Sequence, residues 1–205
     1  MEKQLLRFER LPQPRVTAVT LDVALFPKEV RAVTTGTFVL ENRTKEPIPA
    51  IHVRWEERAR MDSLEMEGAV IDEEWPRFHY RVYKLAKPMA PGDKVTLRFA
   101  TTLEEKGFPN ASPLTRIVDN GTFLNNDEIA PRIGMSRDVL LTDRSKRRKH
   151  GLPADLRPRT LEDESGRDRN FLRPDSDWVT ADITVHTDAD QTPIAPGETV
   201  SDEVK

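Results

Sequence analysis

The chain has 205 residues, 33% of them charged, and a net charge of −3, which gives it no basic excess of the kind a dedicated nucleic-acid binder needs. It has no cysteine, so disulfides and thiolate metal sites are excluded. No apolar run approaches the roughly 20 residues that span a bilayer, and the start, Met1-Glu2-Lys3-Gln4-Leu5-Leu6-Arg7-Phe8-Glu9-Arg10, is too charged for a signal peptide.

Residues 1–14 read as a charged lead-in that ends in Leu11-Pro12-Gln13-Pro14, where the prolines forbid regular helix. Strand alternation then begins. Thr17, Val19, Leu21, Val23 and Leu25 form a core face, with Val16, Ala18, Thr20, Asp22 and Ala24 opposite. After a turn at Pro27-Lys28-Glu29, a second strand covers Ala32 to Asn42, with Val33, Phe38 and Leu40 inward and a bulge expected at Gly36. A third strand spans Ile48 to Trp55, and weaker ones Met61–Met66 and Val70–Glu74. Phe78, Tyr80, Val82 and Leu85 are the expected inward residues of the next, and Val95, Leu97 and Phe99 those of a strand over Lys94–Leu103. Short strands at about ten-residue spacing, joined by Pro/Gly turns, predict a mostly β fold, an antiparallel sandwich or saddle of sheets.

The pattern changes after Gly107. Asn120-Gly121 marks a tight turn before a short strand at Thr122–Leu124. From Ser136 the sequence reads as helix, with Ser136 as cap, Lys146-Arg147-Arg148-Lys149-His150 in the last turn and Gly151 just past the end. A charged piece near 158–171 follows, so 136–174 is expected to be a short helical insertion between strands. Trp178 to His186 alternates again, with Val179, Ala181, Ile183 and Val185 on one side. Gly197–Lys205 starts a further strand-like run. The organisation expected is a lead-in over 1–14 and one β-domain over 15–205, as a fragment of a larger protein.

Catalytic signatures are missing. His52, His79, His150 and His186 are not arranged as a His-Glu-x-x-His helix and read as structural, three in strands and one at a helix end. Gly134-Met135-Ser136-Arg137-Asp138 lacks the closing glycine of a nucleophile elbow. Asp188-Ala189-Asp190-Gln191-Thr192 starts like a calcium loop, but Pro193 stands where the glycine belongs and Thr199 where the final acid belongs. The basic run Lys146–Lys149 is expected to complement its own helix end and to pair with Asp138, Asp143 and Asp155. Glu56-Glu57, Glu73-Glu74 and Glu104-Glu105 read as solvated. Asn125-Asn126-Asp127-Glu128 concentrates hydrogen-bonding groups in what reads first as a turn.

Two stretches carry a resemblance. Ala181-Asp182-Ile183-Thr184-Val185, followed by Pro193-Ile194-Ala195-Pro196-Gly197, resembles a strand and turn late in the amino-terminal β-domain of M1-family zinc aminopeptidases. Val19-Thr20-Leu21-Asp22-Val23 with Thr35-Gly36-Thr37-Phe38-Val39-Leu40 resembles that domain's opening hairpin. Leu6–Pro14 and Asp175–Gly197 are most similar to a bacterial subgroup in which the peptidase region is fused to ABC-permease-like membrane segments. The resemblance implies a noncatalytic first domain, which packs on a catalytic domain of the same parent chain and forms one wall of its peptide cleft. Zinc would then be a cofactor of that other domain and not of this chain. The family's Gly-x-Met-Glu-Asn motif and zinc helix are not in this sequence, so no catalytic or metal residue is expected here.

Glu128-Ile129-Ala130-Pro131 is similar to the family string that supplies an acid to the substrate's free amine. This implies Glu128, with Asp127 beside it, as a substrate contact, and a carboxylate facing an ammonium suits that role. The sequence departs from the family where 136–174 replaces a Phe-Pro-Cys-x-Asp-Glu-Pro-like segment. The implied partners are the catalytic domain and a peptide amino terminus, with no nucleic acid. The implied location is the extracytoplasmic, periplasmic face of a bacterial inner membrane, to which this piece contributes no span. The competing reading is a stand-alone β-sandwich binding or adhesion module.

Overall fold

The computed structural model describes residues 1–105, 116–136, 140–153, 160, 162–164 and 178–203. Two sheets dominate. The first takes the order β11–β1–β2–β7–β4, from β1 (Arg15–Phe26), β2 (Arg31–Glu41), β4 (Ala59–Met66), β7 (Lys94–Glu104) and β11 (Thr180–His186). The second takes β10–β3–β6–β5, from β3 (Ile48–Arg54), β5 (Ala69–Trp75), β6 (Tyr80–Met89) and β10 (Arg132–Ile133). The expected mostly β fold is present, and its pairs are antiparallel but for one. β11 runs parallel to β1, from Ala18↔Thr180 to Ala24↔His186. The chain reaches β11 only after a long connection, which is what a parallel pair requires.

Core parity follows the register Leu21↔Gly36↔Phe99. Leu21 and Val23 of β1, Phe38 and Leu40 of β2, and Leu97 and Phe99 of β7 are buried as expected. The expectation at Gly36 is corrected, since the ladder passes through it without a bulge. Its reason for being glycine is packing: a Cβ there would collide with the Phe99 ring and the Leu21 Cδ2. Without a bulge the parity holds along β2, so Ala32 and Thr34 face the core and Val33 is only half-buried. The true irregularity in β1 lies between Val16 and Ala18, and Val16 is buried as a result.

β4 and β5 are consecutive but belong to different sheets. The chain crosses between them at Glu67-Gly68, where Gly68 takes φ 67° and accepts from the Ala86 N–H at 2.9 Å. Tyr83 points between the sheets and donates its hydroxyl to Leu64 O at 2.7 Å. Tyr83 and Leu85 therefore fill the main core, whereas Tyr80 and Val82 point to the opposite face of the second sheet. Both faces of that sheet are covered.

The outer cover is the amino-terminal segment. α1 (Glu2–Leu5) and a 3₁₀ turn at Leu6–Phe8 set Met1, Leu5 and Phe8 against Ala50, Trp75, Phe78, Tyr80, Val82 and Met135. Helix stops before Pro12, as the prolines require. Gln13 then fills the β3 edge beyond β10, its Oε1 accepting from His52 N at 2.8 Å and its Nε2 donating to Ala50 O at 3.1 Å.

The insertion differs from its sequence reading. Helix α3 is Arg144–Lys149, capped by Asp143, whose Oδ1 accepts from Lys146 N at 2.7 Å; Ser136 is not the cap. Gly151 stands past its end at φ 64°, as expected. Asp138, Asp155 and most of 158–171 lie outside the described residues. The hairpin at Asn120-Gly121 is shorter than expected, with β8 (Ile117–Val118) pairing with β9 (Gly121–Thr122). Residues 197–203 form no strand, and Val200 is 97% exposed with no apolar surface to bury it.

Candidate functional site

Asp127 and Glu128 share one helical turn, α2 (Asn126–Ile129). The turn forms because Asn125 caps it and Glu128, at the third position, reaches back so that its Oε2 accepts from Asn125 N at 2.8 Å. Ile129 and Ala130 are buried in the main core, and Thr101 of β7 donates its hydroxyl to Ile129 O at 2.5 Å. The acidic pair thus stands on a turn anchored to the sheet. Each acid has a cationic partner: Arg116 Nη1 lies 2.8 Å from Glu128 Oε2, and Arg132 of β10 pairs with Asp127. Phe123, just ahead of the turn, is 71% exposed. The arrangement can hold an ammonium group if that group displaces or shares a guanidinium.

The histidines are dispersed. His52 is buried on β3, His186 is exposed on β11, and His150 caps the end of α3. His79 is not in a strand: it ends the 3₁₀ turn Pro76–Phe78 with φ 51°, its carbonyl accepting from Trp55 N at 3.1 Å. Among the described residues no group of three His, Asp or Glu converges as metal ligands. Asp188, in the stretch that begins like a calcium loop, instead meets Lys28 Nζ at 3.2 Å, a bond that raises the lysine pKa. No helix among the described residues is long and apolar enough to cross a membrane.

Two polar centres were invisible in the sequence. The first is Arg147, 1% exposed although it lies in the basic run expected only to complement its helix end and pair with nearby aspartates. Its Nη1 and Nη2 each meet a Glu2 carboxylate oxygen at 2.9 Å, Nη1 also donates to Leu141 O at 2.6 Å, and Nε donates to Pro153 O at 2.5 Å. A guanidinium so fully bonded can be buried. Glu74 is exposed as expected and pairs with Arg81, whereas Glu104, half-buried, pairs with Arg60. The second centre is His52, whose Nδ1 lies 2.9 Å from the Tyr80 hydroxyl, with the Phe8 ring 4.7 Å away between centroids. Burial pulls the His52 pKa down from 6.5 to about 4 and pushes that of Tyr80 up. Phe8 and Tyr80 pack against the imidazole and Trp75 packs on both of them, which makes His52 a packed histidine and not an exposed base. One sequence signal for this cover existed: Met1, Leu5 and Phe8 recur at helical spacing.

The fold and these contacts define a two-sheet β protein whose described residues hold no metal centre. No family model matches the chain, and no curated protein does. Among solved structures it is similar to an M1 zinc metallopeptidase from Deinococcus radiodurans, at 17% identity and a TM-score of 0.37 over 50% of this chain and 24% of that one. A two-domain M1 zinc metallopeptidase bound to L-tryptophan gives 18% and 0.36 over 52% and 26%. Native yeast LTA4 hydrolase gives 14% and 0.30 over 45% and 15%. This chain spans about a quarter of the length of the first two.

Proposed function

We propose that this chain is the noncatalytic amino-terminal β-domain of an M1-like zinc aminopeptidase, and that it packs on the catalytic domain to form one wall of the peptide cleft. The supporting observation is a pairing. The two stretches that carry the sequence resemblance, Val19–Leu40 and Ala181–Val185, lie some 140 residues apart in the chain, yet β11 pairs directly with β1, with Leu21 opposite Ile183. Residues that look like landmarks of one domain thus occupy one side of one sheet.

In this reading zinc belongs to the catalytic domain and no residue described here holds it. The anchored turn with Asp127 and Glu128 faces the cleft, and Glu128 takes the substrate ammonium by exchanging its Arg116 contact. The parent sits at the extracytoplasmic face of a bacterial inner membrane, fused to ABC-permease-like segments. The competing reading, a stand-alone binding or adhesion module, has the exposed Trp178 and Phe123 in its favour.

The test is zinc content and aminopeptidase turnover, measured for this chain and for the longer parent. The chain alone should hold well under one equivalent of zinc and turn nothing over, while the parent does both. Stoichiometric zinc or turnover in the chain alone would overturn the reading. In an active parent, Glu128→Gln should raise KM by about 10-fold, the worth of one charge-assisted hydrogen bond. An unchanged KM would remove Glu128 from the cleft.

A further inference from the structure

The sheet edges of this molecule are guarded unequally. β4 carries Asp62 and Glu65 and a register break between Met61 and Ser63. β5 carries Asp72, Glu73 and Glu74 and a break between Ile71 and Glu73. β10 is two residues long, and the Gln13 amide occupies the β3 edge beyond it. Charges, bulges, shortness and cover are the ordinary ways of blocking edge-to-edge pairing. Of these devices β11 carries only one acid, Asp182, on its exposed face. It keeps unbroken register with β1 over seven residues, with no proline, lysine or arginine, and among the described residues no strand lies on its far side.

Its sequence also complements itself. In an antiparallel pair of β11 strands related by a two-fold axis at Thr184, residues whose numbers sum to twice 184 stand opposite each other. Asp182 then faces the partner's His186, and Ile183 faces the partner's Val185, each pair occurring twice. Asp182, Thr184 and His186 lie on the exposed face of the sheet; Ile183 and Val185 lie on the half-buried one. A carboxylate and an imidazole that can hydrogen-bond, and two apolar side chains, are thus matched on their own faces, the arrangement that stabilises cross-strand pairs. A two-fold at Asp182 would instead set carboxylate against carboxylate.

We propose that β11 is a homodimerisation edge, at which a second copy of this chain adds its own β11 antiparallel about Thr184 and joins the two five-stranded sheets into one. The contact is isologous and closes at two copies.

Sedimentation equilibrium of the wild-type chain, Thr184→Lys and Thr184→Glu tests this. Thr184 is exposed, so both variants should fold, which unfolding at concentrations too low for dimerisation checks; Thr184→Glu, placed opposite Asp22 of β1, should unfold slightly earlier than Thr184→Lys. The wild type should dimerise. Each variant sets like charges face to face at the axis and should dimerise at least ~10-fold more weakly. An equimolar mixture of the two should associate again, through a Lys–Glu pair. A wild-type chain that stays monomeric at hundreds of micromolar, variants that dimerise as well as wild type, or a mixture that does not re-associate would each overturn the proposal.

Discussion

The two ends of this chain are held in opposite ways. The amino-terminal segment is short, charged and weakly periodic, yet it lies over the second sheet with Leu5 fully buried and Glu2 in a buried ion pair. β11 alternates like a core strand, yet its side chains are exposed or at most half-buried, and Trp178 ahead of it is 91% exposed. The first segment is held by side chains; the second is held by backbone pairing to β1. Alternation reports that a stretch can be a strand, and burial depends on whether something covers it.

The widest gap between the two ends should appear at Arg147. Arg147→Ala leaves the Glu2 carboxylate buried without its partner and should destabilise the chain by about 3–5 kcal/mol in urea unfolding. Replacing both groups, as in Glu2→Leu with Arg147→Met, should restore much of that loss, since a paired apolar replacement leaves no buried charge. If Arg147→Ala unfolds within 1 kcal/mol of wild type (about the worth of an exposed pair), the amino-terminal segment is no better anchored than β11.

His52 gives the next effect, read through pH. Its folded pKa, near 4, lies below its ordinary 6.5, so between these values the unfolded chain binds more protons than the folded one. Stability from this site is complete above pH 6.5 and falls as the pH drops towards 4, by about 3 kcal/mol in all. Unfolding free energies measured across that window should fall less steeply in His52→Gln, which keeps a polar partner for Tyr80. Equal slopes in the two proteins would mean that the imidazole is not sealed beneath Phe8.

Most of the strand framework was legible, because alternation and Pro/Gly turns are local and the core faces of β1 and β7 follow from them directly. Three features were not. The Gly36 ladder was misread because a glycine in a strand signals either a bulge or a close approach, and only the Phe99 ring on the neighbouring strand decides which. The partner of Arg147 was sought among nearby aspartates because four consecutive basic residues on a helix look alike until Glu2, 145 residues away, selects one of them. The direction of β11 was not encoded in β11 at all; the long connection before it permits a parallel pair without dictating one. In the candidate site, the capping box of α2 was within reach, since Asn125 and Glu128 have its spacing, whereas the partners Arg116 and Arg132 come from other elements.

On β11 the expected losses are smaller. Ile183 packs at the margin of the main core and is half-buried, so Ile183→Ala should cost about 1 kcal/mol, well short of a full core deletion. A cost of 3 kcal/mol or more, the full-core range, would show that this strand is covered in solution, which a β11 dimer edge alone does not do to its faces.

The smallest effect should come from the side-chain contact that most visibly joins β11 to β1. His186 Nε2 lies 3.2 Å from Asp22 Oδ2, but the two side chains are 59% and 57% exposed. Water screens such a pair, and holding two mobile side chains together offsets much of the attraction. His186→Ala should therefore change the unfolding free energy of the monomer by no more than about 0.5 kcal/mol at neutral pH. The same substitution removes the group that would face Asp182 across the two-fold, so it should weaken dimerisation while leaving monomer stability in place. A loss of monomer stability comparable to that at Arg147 would erase the contrast between the two ends, because it would make a side-chain contact, and not the ladder to β1, the anchor of the last strand.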